Sequence, residues 1–208
     1  MAESASPNPT LVEAFVTLEG STRLDLDDVR VGAAYEIVRG DERRRVAELK
    51  RFRRIHLGET LALVFESRET IRSTLEEALR TERIDDPDRV AGEIAAFNAV
   101  VPEPGQLVAM LLLEVSDPAD LAVAAAHLDG VEGTVFIEVA GTRVRGVPET
   151  FSPPGESSAA HYLRFSLGPE QRAAIVGGAA IATGTDHTGL SVTVQLDEDQ
   201  RSAIAADL

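Results

Sequence analysis

Apolar and polar positions alternate with a helical period in the first half of the chain and with a strand period in the second. Over residues 33–54, Val46, Leu49 and Phe52 mark one helical arc. Gly40 predicts a break or bend there, which Asp41 would cap. Residues 55–65 read as a strand bent at Gly58-Glu59. Residues 67–83 give the clearest helix, because Ile71, Leu75, Ala78 and Leu79 recur at three- and four-residue spacing. Asp85-Asp86-Pro87-Asp88 then forms a turn that starts a helix over residues 87–100, with proline in its first turn.

Beyond Gly105 the periods shorten. Residues 107–115 read as a strand and 118–128 as a small Ala-rich helix. Residues 134–139 and 142–147 form a hairpin across Ala140-Gly141. Residues 161–167, 180–185 and 190–196 complete the strands, with short helices over 169–176 and 197–208. Residues 148–159 make a polar loop. Helices lead and hairpins follow, so the predicted fold is α+β: a two-layer sandwich, its sheet mixed or mostly antiparallel and packed against helices. Residues 1–22 read as a flexible lead that carries a short apolar stretch, and residues 23–208 as one domain. That domain opens at Leu24-Asp25-Leu26-Asp27-Asp28, whose aspartates would cap a helix starting near Val29.

Composition narrows the chemistry. With no Cys, the chain has neither a thiolate-held metal or cluster nor a cysteine nucleophile. A net charge of −15 argues against general nucleic-acid binding, which neutralises phosphates with Lys and Arg. The first ten residues lack a secretory pattern, and no apolar run approaches the roughly 20 residues of a membrane span. A cytoplasmic protein is expected. No phosphate loop, dinucleotide fingerprint, zinc-helix motif or nucleophile elbow is present, so no cofactor is indicated by motif.

The charge pattern is more informative. On the 67–83 helix, Arg68 and Glu82 fall inside the apolar stripe, whereas Glu69, Glu76 and Arg80 fall on the side expected to face solvent. A charge on a core-facing stripe needs a partner. Eight of the twenty basic residues lie between positions 39 and 54, where Arg45, Arg53 and Arg54 are candidates to bind an anion. Of the four His, His127 ends an Ala-rich helix and reads as structural. His161 and His187 sit at strand ends, where they could converge with Glu66 on a metal.

At Phe65-Glu66-Ser67-Arg68-Glu69-Thr70 the chain resembles the bacterial domain of unknown function 3501 family. Tyr35-Glu36-Ile37-Val38-Arg39, Glu82-Arg83-Ile84, Ala96-Phe97-Asn98, His161-Tyr162-Leu163-Arg164-Phe165 and Asp186-His187 carry the likeness further, in order, from Leu24 to Leu208. Ser73 stands where that family often has Gln, and Phe97 where it often has Tyr, which would alter a polar network there. The resemblance implies an association with rubrerythrin-like di-iron and iron–sulfur redox proteins, and a part in redox or peroxide stress. The residues and the resemblance together mark a candidate polar cluster: Tyr35, Glu36, Arg39, Glu66, Arg68, Glu82, His161, Arg164 and His187. Two function classes lead, with a basic-face binder of RNA or nucleotide as a third. One is a non-enzymatic accessory protein that docks a redox partner. The other is a small-molecule or metal-dependent enzyme built on that cluster. An exposed edge strand in the second half would be the route to a homo-oligomer.

Overall fold

The computed structural model describes residues 23–151 and 160–208; the predicted N-terminal lead and most of the 148–159 loop lie outside them. A 3-10 turn at Leu26–Asp28, capped by Asp25, comes first. Three helices follow or interleave the early strands: α1 (Gly32–Arg51), α2 (Arg68–Glu82) and α3 (Pro87–Phe97). The strands are β1 (Arg54–Leu57), β2 (Leu61–Glu66), β3 (Gln106–Leu113), β4 (Val135–Val139), β5 (Thr142–Arg145), β6 (Val147–Pro148), β7 (Ala160–Ser166), β8 (Ile181–His187) and β9 (Leu190–Gln195). Short helices α4 (Leu121–His127), α5 (Pro169–Val176) and α6 (Glu198–Ala205) complete the order.

The α+β class and the antiparallel pairing are as predicted, but the strands divide between two sheets. One has the order β1-β2-β3-β7-β6 and the other β5-β4-β8-β9. The larger sheet is therefore covered twice. Leu63, Phe65, Ala109, Leu111, Leu163 and Phe165 face the second sheet, where they join Val135, Ile137, Val139 and Ile181 in one core. Val108, Met110 and Tyr162, one residue out of step, face Ile71, Leu75 and Leu79 of α2 and Ile94 and Phe97 of α3 in another. This double cover is why every residue of β2 is buried and why Leu-Ala-Leu-Val-Phe lacks polar alternation.

Local chemistry explains the boundaries. Ser67 caps α2 by accepting from the Thr70 N–H, and the Thr70 hydroxyl accepts from the Ser67 N–H in return. Arg83, in a left-handed conformation, ends that helix. Three expectations change. The predicted 55–65 strand is a hairpin, because Gly58 at φ +74 turns the chain through Gly58–Thr60 and pairs Leu57 with Leu61. No helix starts at Val29: the aspartates form a 3-10 turn that ends just before it, and α1 starts three residues after it. Finally, α1 runs through Gly40 without a break, since Arg39 to Glu77 on one side of it and Arg72 to Glu42 on the other fasten the helix to α2.

Candidate functional site

α1 docks on α2 through charge. Tyr35, Glu42 and Val46 are its only buried side chains, and two of the three are polar. Glu76 of α2 is fully buried and takes three N–H donors from Arg30: the backbone N at 3.0 Å and Nε at 2.9 Å on Oε1, and Nη2 at 2.9 Å on Oε2. Glu42 gathers Arg45 at 2.7 Å, Arg72 at 2.9 Å and Arg30 at 3.2 Å. Glu77 accepts from the Tyr35 hydroxyl at 3.0 Å and from Arg39 Nε at 2.8 Å. Glu36 pairs with Arg80, and Lys50 Nζ reaches Glu66 Oε1 at 2.9 Å. Glu66 is buried, and its second oxygen has no hydrogen-bond partner.

These contacts set the protonation states. The Arg45 hydrogen bond, joined by Arg72 and opposed by burial, holds the Glu42 carboxyl down at about 2. Burial alone would raise Glu77, but the hydrogen bonds from Arg39 and Tyr35 outweigh it and lower that group as well. Burial, and then Glu77, push the Tyr35 phenol up, so it stays a donor. A carboxylate whose folded pKa is depressed adds stability that is fully present above its unfolded value near 4.3, and that is lost as pH falls toward the folded value. Stability should therefore drop between about pH 5 and pH 2, by about 2 kcal/mol from Glu42 alone after discounting for water around the half-exposed Arg45. Urea unfolding across that range measures it. A flat profile would show that the seam is not ion-paired in solution.

The nine-residue cluster predicted from sequence divides. Tyr35, Glu36, Arg39 and Glu66 belong to this seam. Arg68, at the start of α2, pairs with Asp28, and Glu82, at the other end of the same helix, is exposed. Arg164 stands in the cross-sheet row Glu66–Val108–Arg164, bound to Glu149, Gln106 and the Ala99 carbonyl. Glu76, which sequence reasoning assigned to the solvent side, is instead the most enclosed carboxylate of the seam, because α1 covers the turn that carries it. Arg30, Glu42, Arg72 and Glu77 were not singled out either. The one signal was the run of small hydroxyls Thr70 and Ser73 beside Glu76, all three buried. Ser73 and Phe97 take separate places: Ser73 is on this seam, and Phe97 packs edge-on against Phe151 in the core. The three candidate anion-binding arginines are each matched by the chain's own carboxylates: Arg45 by Glu42 and Glu69, Arg53 by Asp207, and Arg54 by Glu114.

His161 and His187 lie elsewhere: His161 lines a cavity, and His187 supports the backbone at its rim without lining it. Strand alternation puts His161 on the same face as Leu163 and Phe165, across the sheet from Glu66. There it lines a hollow of about 260 Å³, with Leu61, Leu111, Leu113, Leu128 and Val131 as apolar walls and Asp129 and Glu132 at the rim. His187 braces the wall: its Nδ1 accepts from the Gly189 N–H at 3.1 Å, so its Nε2 carries the proton and donates to the Asp129 carbonyl at 3.1 Å. His127 Nε2 reaches the Gly189 carbonyl at 3.2 Å, fastening the end of α4 to the same turn. A Cβ on Gly189 would stand 2.7 Å from the His127 carbonyl, so only glycine fits. α4 flanks the cavity through Ala125 and has no buried residue of its own. Asp129 and Glu132 have no ion-pair partner among the described residues. Nor do the described residues contain a group of three or more His, Asp and Glu side chains arranged to hold a metal, and His161, His187 and Glu66 do not converge.

No helix among the described residues is long and apolar enough to cross a membrane. A solved structure of a protein of unknown function from Burkholderia pseudomallei K96243 is similar, with a TM-score of 0.82 and 32% identity; the match covers 89% of this chain and 98% of that one. No curated protein matches the chain. A family model described as protein of unknown function (DUF3501) matches residues 23–208.

Proposed function

Because the chain belongs to that family of proteins of unknown function, we propose a role from its own geometry: a non-enzymatic cytosolic accessory protein that holds a small ligand in the His161 cavity. The redox or peroxide-stress setting implied by the resemblance supplies the partners to try first, namely rubrerythrin-like and iron–sulfur proteins. The observation that supports this reading is a contrast. The seam between α1 and α2 spends its charges on itself, whereas the His161 cavity combines apolar walls with two carboxylates that have no ion-pair partner among the described residues. Apolar walls with a few convergent polar groups are what a small-molecule site needs.

Benzyl alcohol, a neutral probe of about eight non-hydrogen atoms, is expected to bind with a dissociation constant on the order of 1 mM. Saturable methyl shifts of Leu61, Leu111 and Leu128 would report it by NMR. Ala125→Trp, a change at an exposed helix position on the cavity wall, should abolish those shifts while altering stability by less than about 1 kcal/mol. Unsaturable shifts, or shifts that survive in Ala125→Trp, would sink the proposal. The redox half is read separately: a rubrerythrin-like di-iron protein at micromolar concentration should bind the full chain, and failure to bind removes that half.

A further inference from the structure

We infer that the His161 cavity takes a small organic cation, a protonated amine on an apolar body of about ten non-hydrogen atoms. This rests on reading the cavity as a binding site and names what it selects. Size sets the body. An apolar cavity of about 150 Å³ holds benzene, so one of about 260 Å³ has room for a hydrocarbon frame somewhat larger. The leucine and valine walls offer that frame no hydrogen bond, and they reward it by removing apolar surface from water.

The rim sets the head group. Among the cavity-lining residues the charged side chains are Asp129 and Glu132, and no Lys or Arg is present. This differs from the carboxylates that the arginines of the protein enclose. Glu42 faces three arginines, Glu76 and Glu77 each take a guanidinium, and Asp186 is forked by Arg145. Asp129 and Glu132 have none. A carboxylate or phosphate entering there would meet two like charges, whereas an ammonium would be attracted by both and could donate to an unprotonated ring nitrogen of His161. The overall charge of −15 adds a long-range pull of the same sign, drawing cations toward the protein. His187 contributes as a positioning residue, because its bond to the Asp129 carbonyl fixes the backbone that presents the first of the two carboxylates.

Hexylamine, hexan-1-ol and hexanoate share one chain and differ in head-group charge, so together they separate the contributions. Calorimetric titration of the full-length protein at pH 7.5 should show the amine binding at least about tenfold more tightly than the alcohol, with hexanoate weakest. In the Asp129→Asn, Glu132→Gln double variant the amine should lose that advantage, falling to within about threefold of an alcohol affinity that stays unchanged. Both positions lie at the rim, so folding should be unaffected. If all three probes bind alike, the cavity is a binding site and the cation inference is wrong. If none of them saturates, the cavity reading itself falls.

Discussion

Replacing Glu76 by alanine is expected to cost about 3 kcal/mol of folding stability, with a fall in melting temperature of roughly 10 °C for a chain of this size. The carboxylate is fully buried and satisfies the backbone N–H, Nε and Nη2 of Arg30 at the approach to α1. Its removal leaves a guanidinium facing a closed seam. The Arg30 side chain is about one-third exposed and can turn toward water, which places the expected loss at the lower end of what breaking a buried pair costs. Glu82→Ala on the same helix is the matched comparison. That residue is exposed, and its loss should change stability by no more than about 0.5 kcal/mol. Urea unfolding of the two variants beside the wild type decides the matter. Equal midpoints for both would mean that the seam does not hold α1 in place.

An equally large effect is expected at Gly184, where alanine should cost at least about 3 kcal/mol or prevent folding. Gly184 lies within β8, between β4 and β9, opposite Phe136 and Thr193. A Cβ there would stand 2.1 Å from the Val192 carbonyl oxygen and 3.0 Å from the Phe136 ring. Side chains can rotate away, but the carbonyl belongs to the backbone of β9, so a strand would have to move. Gly92 offers the opposite sign. It sits in α3 with nothing within 4 Å of an added Cβ, and Gly92→Ala should stabilise by up to about 1 kcal/mol. Thermal unfolding of the pair tests both statements. A well-folded Gly184→Ala protein of wild-type stability would show that β8 and β9 do not approach this closely.

Much of the fold was legible because its punctuation is local. Ser67 with Thr70, Asp86 with Pro87, and Ala140-Gly141 each fix a boundary through bonds made within a few residues, and the elements they delimit stand where the pattern put them. Partition of the strands between two sheets was not legible, since alternation tells which way a side chain points but not which sheet receives it. The Gly58 hairpin was missed for a related reason: two short strands joined by three residues have almost the composition of one bent strand.

The candidate site was legible in part. Tyr35, Glu36, Arg39 and Glu66 lie along one seam, while Glu76 was assigned to solvent because a helical wheel recognises a buried face by its apolar residues. The element that buries Glu76 is itself polar, so the contact leaves no apolar signature. The cavity was beyond reach. It is made by one strand from each of three separate chain segments and by the loop at Asp129 to Glu132, and only His161 and His187 pointed toward it.

The two faces of the central sheet will respond differently to heat. The face toward the second sheet is hydrocarbon except at His161, so its loss exposes apolar surface and raises the heat capacity on unfolding. Releasing α1 exposes chiefly charged groups, which contribute little or negatively to that quantity. Ionic hydration also weakens as temperature rises, so the desolvation opposing the Glu42 and Glu76 pairs shrinks as apolar gains level off. On warming, the seam therefore supplies a growing share of the remaining stability.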